Sequence, residues 1–254
     1  MKPKKGKITV VGFGPGGREH MTQAAVDAIT SADIVVGYTT YVDMLRPVFP
    51  DKEYLATPMM KEIERCRIAL GKAEEGLDVA MVSSGDSGIY GMAGAVYQVA
   101  HDTGSGVEIV VVPGVTAASA AAAVLGAPLM HDMAFISLSD LMTPLEKIYE
   151  RVDCAGKGDF VACIYNPRSR KRTDHLAEAA SILMRHRGAD TPVGVVRHAG
   201  RPEERKWLTT LGKVGSEDID MFCIVVVGNS QTYVCDGLMV TPRGYGSRHG
   251  LEDF

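Results

Sequence analysis

The stretch from Met81 to Gly91 places one carboxylate among three glycines, directly after an apolar run. The run ends at Val82, and the residues that follow are small, with Asp86 near their centre. This pattern predicts a β-strand, a tight turn and the start of a helix. Glycines let backbone N–H groups approach a ligand without interference from Cβ, and open α/β sheets bind ligands at the carboxyl ends of their strands. We therefore expect a binding site here.

The letters GDSG at Gly85–Gly88 also surround the reactive serine of trypsin-like proteases. Those enzymes are all-β, disulfide-linked and need a partnered histidine upstream. Here the motif precedes a predicted helix, and His20 is the only upstream histidine. The surroundings therefore argue against a serine hydrolase. A purely structural role, in which the glycines serve close helix packing, stays open.

A second glycine loop, Gly12–Gly17, follows the β-branched run KITVVG and precedes a helical pattern that continues to about Ile29. Taken literally, the loop matches G-x-G-x-x-G, the signature of a dinucleotide site. The acidic residue expected about 20 residues further on is missing, because the next predicted strand ends in Gly37 and Tyr38. Pro15 also removes an amide that a phosphate would use. An NAD-binding oxidoreductase remains the alternative from a different class.

A third strand signal, Glu108–Val112, ends in the small residues of Pro113–Ser119, and the alanine run Ala120–Ala123 follows. Side chains this small predict a helix that packs very closely on a neighbour or a ligand. A breaker, Gly126-Ala127-Pro128, then ends the helix. We place the domain boundary there, with an N-terminal α/β domain at 1–125 and a C-terminal α/β domain at 126–254.

Strand and helix signals alternate through the second half as well, but several neighbouring strands could pair antiparallel. The runs Trp207–Leu211 and Met221–Gly228 are separated by the polar stretch Gly212–Asp220, which permits either a hairpin or a short helical crossover. We therefore expect a mostly parallel sheet in the first domain and a mixed sheet in the second. The length of 254 residues, with 46% hydrophobic and 23% charged residues, suits two such domains.

The overall charge gives no reason to expect nucleic acid or an anionic membrane as a partner, since it is only −4. The longest apolar run, Met221–Gly228, is far too short to span a membrane. The five cysteines are scattered and contain no C-x-x-C pair, which predicts reduced thiols and a cytoplasmic protein.

The seven histidines contain no i, i+4 pair, and none stands near a cysteine at a ligand-like spacing. We therefore expect no protein-bound metal. His131 and Asp132 follow the breaker at Pro128 and are candidates for a catalytic pair in an interdomain cleft. A satisfied loop pair is an equally good interpretation of these two residues.

The dense basic run Asn166–Arg172 (NPRSRKR) follows a predicted strand and so lies at a carboxyl end. Charge runs usually form solvated loops, and a nucleic-acid loop would interleave aromatic residues, of which only Tyr165 is near. A small molecule with several carboxylates explains the run better. Its predicted contacts are Arg168, Arg170 and Arg172, because guanidinium groups bind carboxylates in bidentate fashion.

The three loops Gly12–Gly17, Ser84–Gly91 and Pro113–Ser119, with the small-residue helix after the third, together resemble the tetrapyrrole methylase family. The resemblance covers almost the whole chain. It implies two α/β domains with S-adenosylmethionine in the cleft between them, a tetrapyrrole substrate and a homodimer. The stretches SSGDSGIYGMAG, PLMHDMAFISLSDLMTP and YNPRSRKR resemble the branch that methylates C17 of a corrin precursor, precorrin-3B or its cobalt form, and contracts the ring. Methylases that act at C11 or C20, or on uroporphyrinogen, are the alternatives.

The family pattern also implies roles for individual residues. The implied cofactor contacts are Pro15, Ser84, Gly85, Asp86, Ile89, Thr116, Ala117, Asn166, Ala199 and Gly200. Gly14 is implied as a substrate contact, in addition to the three arginines. The chain departs from the pattern twice: many relatives carry Gly-Gly-Asp-Pro at Ser84–Ser87, and a methionine often stands at Asn166.

The chemistry implied by the resemblance needs no covalent nucleophile. Methyl transfer from a sulfonium is an in-line displacement, so the protein has to align two reactants and exclude water. Ring contraction additionally needs proton movement and stabilisation of developing charge. The candidates for these tasks, which the sequence does not rank, are Asp86, His131, Asp132 and Asp140.

Overall fold

In the computed structural model, which describes residues 5–245, the chain forms two compact α/β units divided between Ala117 and Ala118. Each unit contains its own five-stranded sheet. The predicted α/β class is confirmed. Within the described residues, no helix combines the length and the apolar character that crossing a membrane requires.

The first unit is built on a wholly parallel sheet. Its strands are β1 (Lys7–Gly12), β2 (Ile34–Tyr38), β3 (Glu53–Thr57), β4 (Val79–Ser83) and β5 (Glu108–Val112). They lie side by side in the order β3-β2-β4-β1-β5. Every residue of β4 is buried, as expected for a parallel strand whose two faces are both covered.

Four helices connect these strands. They are α1 (Gln23–Ser31), α2 (Thr39–Leu45), α3 (Glu62–Glu74) and α4 (Ala93–Asp102). The hydroxyl of Thr22 accepts a hydrogen bond from Ala25 N at 3.1 Å and caps α1, because the first turn of a helix leaves its N–H groups without partners.

The strand order brings distant glycine loops together. In parallel register, Val11 lies beside Val82 and Gly12 beside Ser83, so β1 and β4 end at the same height. On its other side β1 pairs with β5, where Val11 lies beside Val112. The loops after β1, β4 and β5 therefore emerge at one edge of the sheet.

The second unit contains a mixed sheet, as the sequence predicts. Its elements are α5 (Ala117–Leu125), β6 (Gly126–Ala127), β7 (Met133–Ser137), α6 (Leu145–Lys157), β8 (Val161–Tyr165), α7 (His175–Leu183), β9 (Pro192–Arg197), β10 (Arg205–Thr210), β11 (Cys223–Val227), β12 (Tyr233–Cys235) and β13 (Leu238–Val240). The main sheet has the order β10-β9-β11-β8-β7, and β12, β13 and β6 form a small second sheet. The small sheet is not predicted, because two- and three-residue strands carry almost no periodic signal.

The pairing of β11 decides between the two connections that the sequence leaves open. β10 pairs antiparallel with β9, and β11 pairs antiparallel with both β9 and β8. The chain therefore passes from β10 over β9 to reach β11, through a single 3₁₀ turn at Val214–Ser216. The connection is a crossover and not a hairpin.

The boundary in the structure lies eight residues before the predicted one at 125/126, since α5 groups with the second unit apart from its first residue. Ala118 N donates to the hydroxyl of Tyr165 at 3.2 Å. At the other end of α5, the side chain of Leu125 covers Gly194, where a Cβ would lie 2.5 Å from Leu125 Cδ1. The buried residues of α5 are Ala118, Ala121 and Leu125.

Candidate active site

Gly14 and Gly85 join the loops that follow β1 and β4. Gly14 N donates to Gly85 O at 3.0 Å, and Gly85 N donates to Gly14 O at 2.8 Å. Both residues have a left-handed backbone, with φ of +81° and +69°. Such values suit glycine, because a Cβ would clash with the backbone. The two loops are therefore fixed to each other at the carboxyl edge of the first sheet.

Gly114 packs the third loop onto the other two. A Cβ on Gly114 would lie 2.2 Å from Gly85 O and 2.4 Å from Gly12 O, so backbone touches backbone there. A Cβ on Gly85 would meet nothing closer than Ala117 N at 3.7 Å and Thr116 Cα at 3.9 Å. Gly114 is thus required for packing, whereas a Cβ on Gly85 would make only ordinary van der Waals contacts.

Asp86 holds the loops in this arrangement. Its Oδ1 accepts hydrogen bonds from Gly88 N at 2.8 Å and Ile89 N at 3.0 Å, and its Oδ2 accepts one from Gly114 N at 3.0 Å. A carboxylate that accepts three amide hydrogen bonds acts as a fixed brace between loops. The sequence suggests a role in proton transfer for Asp86, and the structure adds this structural role.

Ser87 does not have the surroundings of a nucleophile. The residue is fully buried, and its hydroxyl donates to Val112 O at 3.1 Å. A hydrolase serine needs an accessible hydroxyl that is hydrogen-bonded to a base. The dinucleotide interpretation also loses support, because α1 begins only at Gln23, well after the loop that would have to lead into it.

All the predicted cofactor contacts of the first unit lie at this edge. Pro15 is buried directly after Gly14, and Ser84 and Ile89 are half-buried on either side of Asp86. Thr116 and Ala117 lie beside Gly85, within van der Waals distance of the position that a Cβ there would take. A ligand could approach this backbone without meeting a side chain at Gly85, so the arrangement fits the methionine and adenosine contacts that the resemblance implies.

The carboxyl edge of the second sheet carries the remaining predicted contacts. Asn166 follows β8, has φ +50°, and donates from Nδ2 to Ser137 Oγ at 3.0 Å. Ala199 and Gly200 follow β9, where His198 and Gly200 have φ of +54° and +73°. Gly200 N donates to Glu204 Oε2 at 2.7 Å. Left-handed residues persist only where their surroundings hold them, and they often occur at binding sites.

The three predicted substrate arginines differ in their contacts. Arg168 donates from Nη1 to Glu217 O at 3.1 Å and from Nη2 to Gly215 O at 2.7 Å, while its buried Nε has no partner. Arg172 donates to three oxygen atoms of its own and a neighbouring loop. Arg170 is exposed. The docking role stays a prediction for all three, and Arg170 is the most accessible of them.

His131 and Asp132 lie at the opposite edge of the same sheet. They precede β7, and Val161 N, at the start of β8, donates to Asp132 O at 3.1 Å. Their side chains are 45% and 81% exposed, with His131 Nδ1 3.7 Å from Asp132 Oδ2. Within the second unit the structure does not bring this pair to the edge that carries Asn166. This position favours the other interpretation, in which His131 and Asp132 are a loop pair whose members contact each other and have no catalytic role.

The sequence analysis assigns no role to Tyr165 or His175. The Tyr165 hydroxyl accepts from Ala118 N. His175 Nε2 lies 4.0 Å from the carboxylate of Asp140, a named candidate that also lies 3.8 Å from Arg172 Nε. Position is the usable signal for Tyr165, which ends a predicted strand.

Within the described residues, no group of three or more histidine, cysteine or acidic side chains is placed to hold a metal ion. The five cysteines are free thiols. Burial raises the pKa of Cys66 and Cys223 to about 11 and that of Cys163 to about 12, because a thiolate loses hydration in the core. These three thiols are therefore core residues without nucleophilic character.

Loops gathered at the carboxyl ends of strands, with left-handed glycines among them, are typical of α/β proteins that bind a small molecule there. The Tetrapyrrole (Corrin/Porphyrin) Methylases match residues 7–215. The chain belongs to this family.

Similar proteins cover nearly the whole chain. A Salmonella typhimurium protein named "Probable cobalt-factor III C(17)-methyltransferase" is 52% identical over 94% of this chain and 99% of its own length. A Sinorhizobium sp protein named "Precorrin-3B C(17)-methyltransferase" is 41% identical over 94% and 97%. The crystal structure of the methyltransferase CobJ superposes with a TM-score of 0.88 and 36% identity, covering 93% of this chain and 100% of that one.

Proposed function

We propose that the protein is an S-adenosylmethionine-dependent C-methyltransferase that methylates C17 of a corrin precursor, precorrin-3B or its cobalt form. The observation that carries the proposal is the 52% and 41% identity, over nearly full length, to proteins named C(17)-methyltransferases. The contraction of the macrocycle belongs to the same proposal. A homodimeric assembly and a cytoplasmic location belong to it as well. The five free thiols support the cytoplasmic location.

The cofactor supplies a methyl group on a positively charged sulfur atom. In the proposal, the backbone of Ser84–Asp86 binds its methionine part, Pro15 lies near the cofactor, and Ile89 contacts the adenosine. The hydrogen bonds of Asp86 keep this backbone rigid, so little ordering is required when the cofactor binds. Thr116 and Ala117, which lie beside Gly85, contact the adenosine.

The second unit contributes the remaining proposed contacts. Asn166 is fixed by Ser137, and Gly200 is fixed by Glu204, so both present a defined backbone at the edge of the sheet. Ala199 lies between the two left-handed residues of its loop. Such rigid contacts favour catalysis by alignment, which can supply roughly 7–11 kcal/mol of a barrier.

The substrate carries several carboxylates, and we assign their binding first to Arg170, because its guanidinium is exposed. Gly14, which is hydrogen-bonded to Gly85 of the cofactor loop, is a further proposed substrate contact. Arg168 is a further proposed contact, although its two Nη atoms already donate to Glu217 O and Gly215 O.

Calorimetry with S-adenosylhomocysteine, followed by single-turnover assays, tests the proposal. We expect binding in a one-to-one ratio per chain, and methyl transfer to precorrin-3B, cobalt-factor III or both. Mass spectrometry and NMR of the product should locate the new methyl group at C17. A methyl group at C11 or C20, or turnover of uroporphyrinogen alone, would support the other branches of the family. Binding of a nicotinamide cofactor without S-adenosylhomocysteine binding would overturn the proposal.

A further inference from the structure

Arg172 joins the loops that follow two parallel strands, β7 and β8. Its Nη1 donates to Leu138 O at 3.0 Å and to Asn166 O at 3.3 Å, and its Nε donates to Ser169 Oγ at 3.2 Å. The Nε also lies 3.8 Å from the carboxylate of Asp140, and the side chain is only 13% exposed. One guanidinium therefore contacts both loops at the carboxyl edge of the sheet.

His175 contacts the same loop as Arg172. Its Nδ1 lies 3.3 Å from Leu138 O and its Nε2 lies 4.0 Å from Asp140 Oδ2, with the side chain 14% exposed. A carbonyl oxygen only accepts, so the bond to Leu138 places a proton on Nδ1. Leu138 O thus accepts from two side chains, and Asp140 lies between two basic groups.

Asn166 is the residue that these contacts restrain. Its backbone is left-handed, which asparagine tolerates better than most residues but which still needs support from its surroundings. The side chain donates to Ser137 on β7, and the carbonyl oxygen accepts from Arg172. The side chain and the backbone carbonyl group of Asn166 are therefore both hydrogen-bonded to neighbouring groups.

We propose that Arg172, assisted by His175, is a positioning residue that fixes Asn166 and the Leu138–Asp140 loop, and that it does not bind the substrate. The inference rests on the proposed function, because the cofactor contact of Asn166 belongs to that proposal. An arginine suits the task because its planar fork donates to several acceptors at once, whereas a lysine ammonium is a compact point charge.

The first experiment compares Arg172→Ala, Arg172→Lys and Lys171→Ala, an exposed neighbour that controls for the loss of a positive charge. We expect Arg172→Ala to weaken S-adenosylhomocysteine binding at least tenfold in calorimetry, while the KM for the tetrapyrrole changes less than twofold. Arg172→Lys should recover only part of the affinity. Added guanidinium should restore binding to Arg172→Ala severalfold, and Lys171→Ala should bind like the parent.

A reversed pattern, with tetrapyrrole KM raised and S-adenosylhomocysteine affinity unchanged, would show that Arg172 contacts the substrate and would overturn the inference. If Arg172→Ala fails to fold, Ser137→Ala provides the second test, because it removes the hydrogen bond from the Asn166 side chain together with the bond that Ser139 N donates to the same hydroxyl. Weakening of S-adenosylhomocysteine binding by about threefold or more would support the positioning of Asn166, and unchanged affinity would contradict it.

Amide hydrogen exchange separates this inference from the proposed function. In ligand-free Arg172→Ala, residues 137–140 and 166–169 should exchange faster than in the parent, whereas the β9–β10 pairing should not change. If the parent binds no S-adenosylhomocysteine, the proposed function fails whatever the exchange shows. If the parent binds it and neither exchange nor affinity changes in the variant, only the positioning inference fails.

Discussion

The carboxylate of Asp86 and the amide of Gly114 are hydrogen-bonded at 3.0 Å across two strands that are not neighbours. Asp86 follows β4 and Gly114 follows β5, and β1 lies between these strands. The bond therefore passes over the end of β1 and closes the carboxyl edge of the first sheet. It makes Asp86 a direct link between the loop after β4 and the loop after β5.

Replacing Asp86 by Asn tests this link. An amide that keeps its oxygen toward Gly88 and Ile89 must turn its NH₂ toward Gly114 N–H, so two donors face each other. We expect the free energy of unfolding to fall by about 1–3 kcal/mol, measured by urea denaturation. Affinity for S-adenosylhomocysteine should fall in the same variant. Full stability in Asp86→Asn would show that the link is dispensable.

Gly85→Leu should abolish S-adenosylhomocysteine binding. The left-handed backbone at +69° alone costs a residue with Cβ about 1–2 kcal/mol, and the larger side chain would fill the space in which the ligand is expected. The matched control is Gly94→Ala, since a Cβ at this position in α4 meets nothing within 4 Å. That variant should bind normally and gain up to about 1 kcal/mol of stability. Retained affinity in a folded Gly85→Leu protein would contradict the placement of the cofactor.

Arg170→Ala should weaken tetrapyrrole binding about tenfold, or 1.4 kcal/mol, and spare S-adenosylhomocysteine. An exposed ion pair contributes only about 0.2–1 kcal/mol, whereas a charge-assisted bond to a carboxylate contributes about 1.5–3 kcal/mol. The salt dependence of tetrapyrrole binding should decrease in the variant. Parent-like tetrapyrrole affinity at low ionic strength would leave Arg170 as a solvated surface residue.

The thiols should divide into two groups. At pH 8 we expect a disulfide reagent to label the exposed Cys154 and Cys235 in the native protein, and all five thiols after unfolding. Rapid native labelling of Cys163 would show that β8 opens readily.

The same buried thiols make stability depend on pH. Burial raises the pKa of Cys163 to about 12 from its ordinary value of 9.0, so the folded state favours the protonated form. This contribution is fully present below pH 9 and is lost as the pH rises toward 12. Denaturant titrations between pH 8 and 11 should show falling stability, and Cys163→Ala should reduce the slope above pH 9.

Metal removal should leave methyl transfer intact when the substrate is held fixed, because the described residues contain no metal-binding group of side chains. The measurement is turnover after EDTA treatment and desalting, with the metal content checked by mass spectrometry. Loss of activity that zinc restores would reveal a site formed by distant residues.

The sequence is informative about the first sheet because its strands end in glycine loops. Gly12–Gly17 and Ser84–Gly91 stand directly after β-branched runs, so their place at strand ends follows from local pattern alone. That Gly14 meets Gly85 depends on the strand order, and no local pattern contains that order.

The contacts of the arginines could not be predicted in the same way. Arg168 and Arg172 are indistinguishable from Arg170 as letters in a basic run. In the structure their contacts differ, because Arg168 donates to the carbonyl oxygen of Glu217 and Arg172 to that of Leu138, and both acceptors are remote in sequence. His131 and Asp132 stand just before β7. Their predicted role came from the breaker at Pro128, and a breaker does not indicate which edge of a sheet the following residues reach.

The antiparallel strand β11 separates the ends of β8 and β9 by two strand spacings, or roughly 10 Å. A single carboxylate or methyl group cannot reach from Asn166 to Gly200 across that distance. A nucleoside can, provided that it lies across the start of β11 with its long axis perpendicular to the strands. The spacing of the strands thus limits the length and orientation of any molecule that touches both loops.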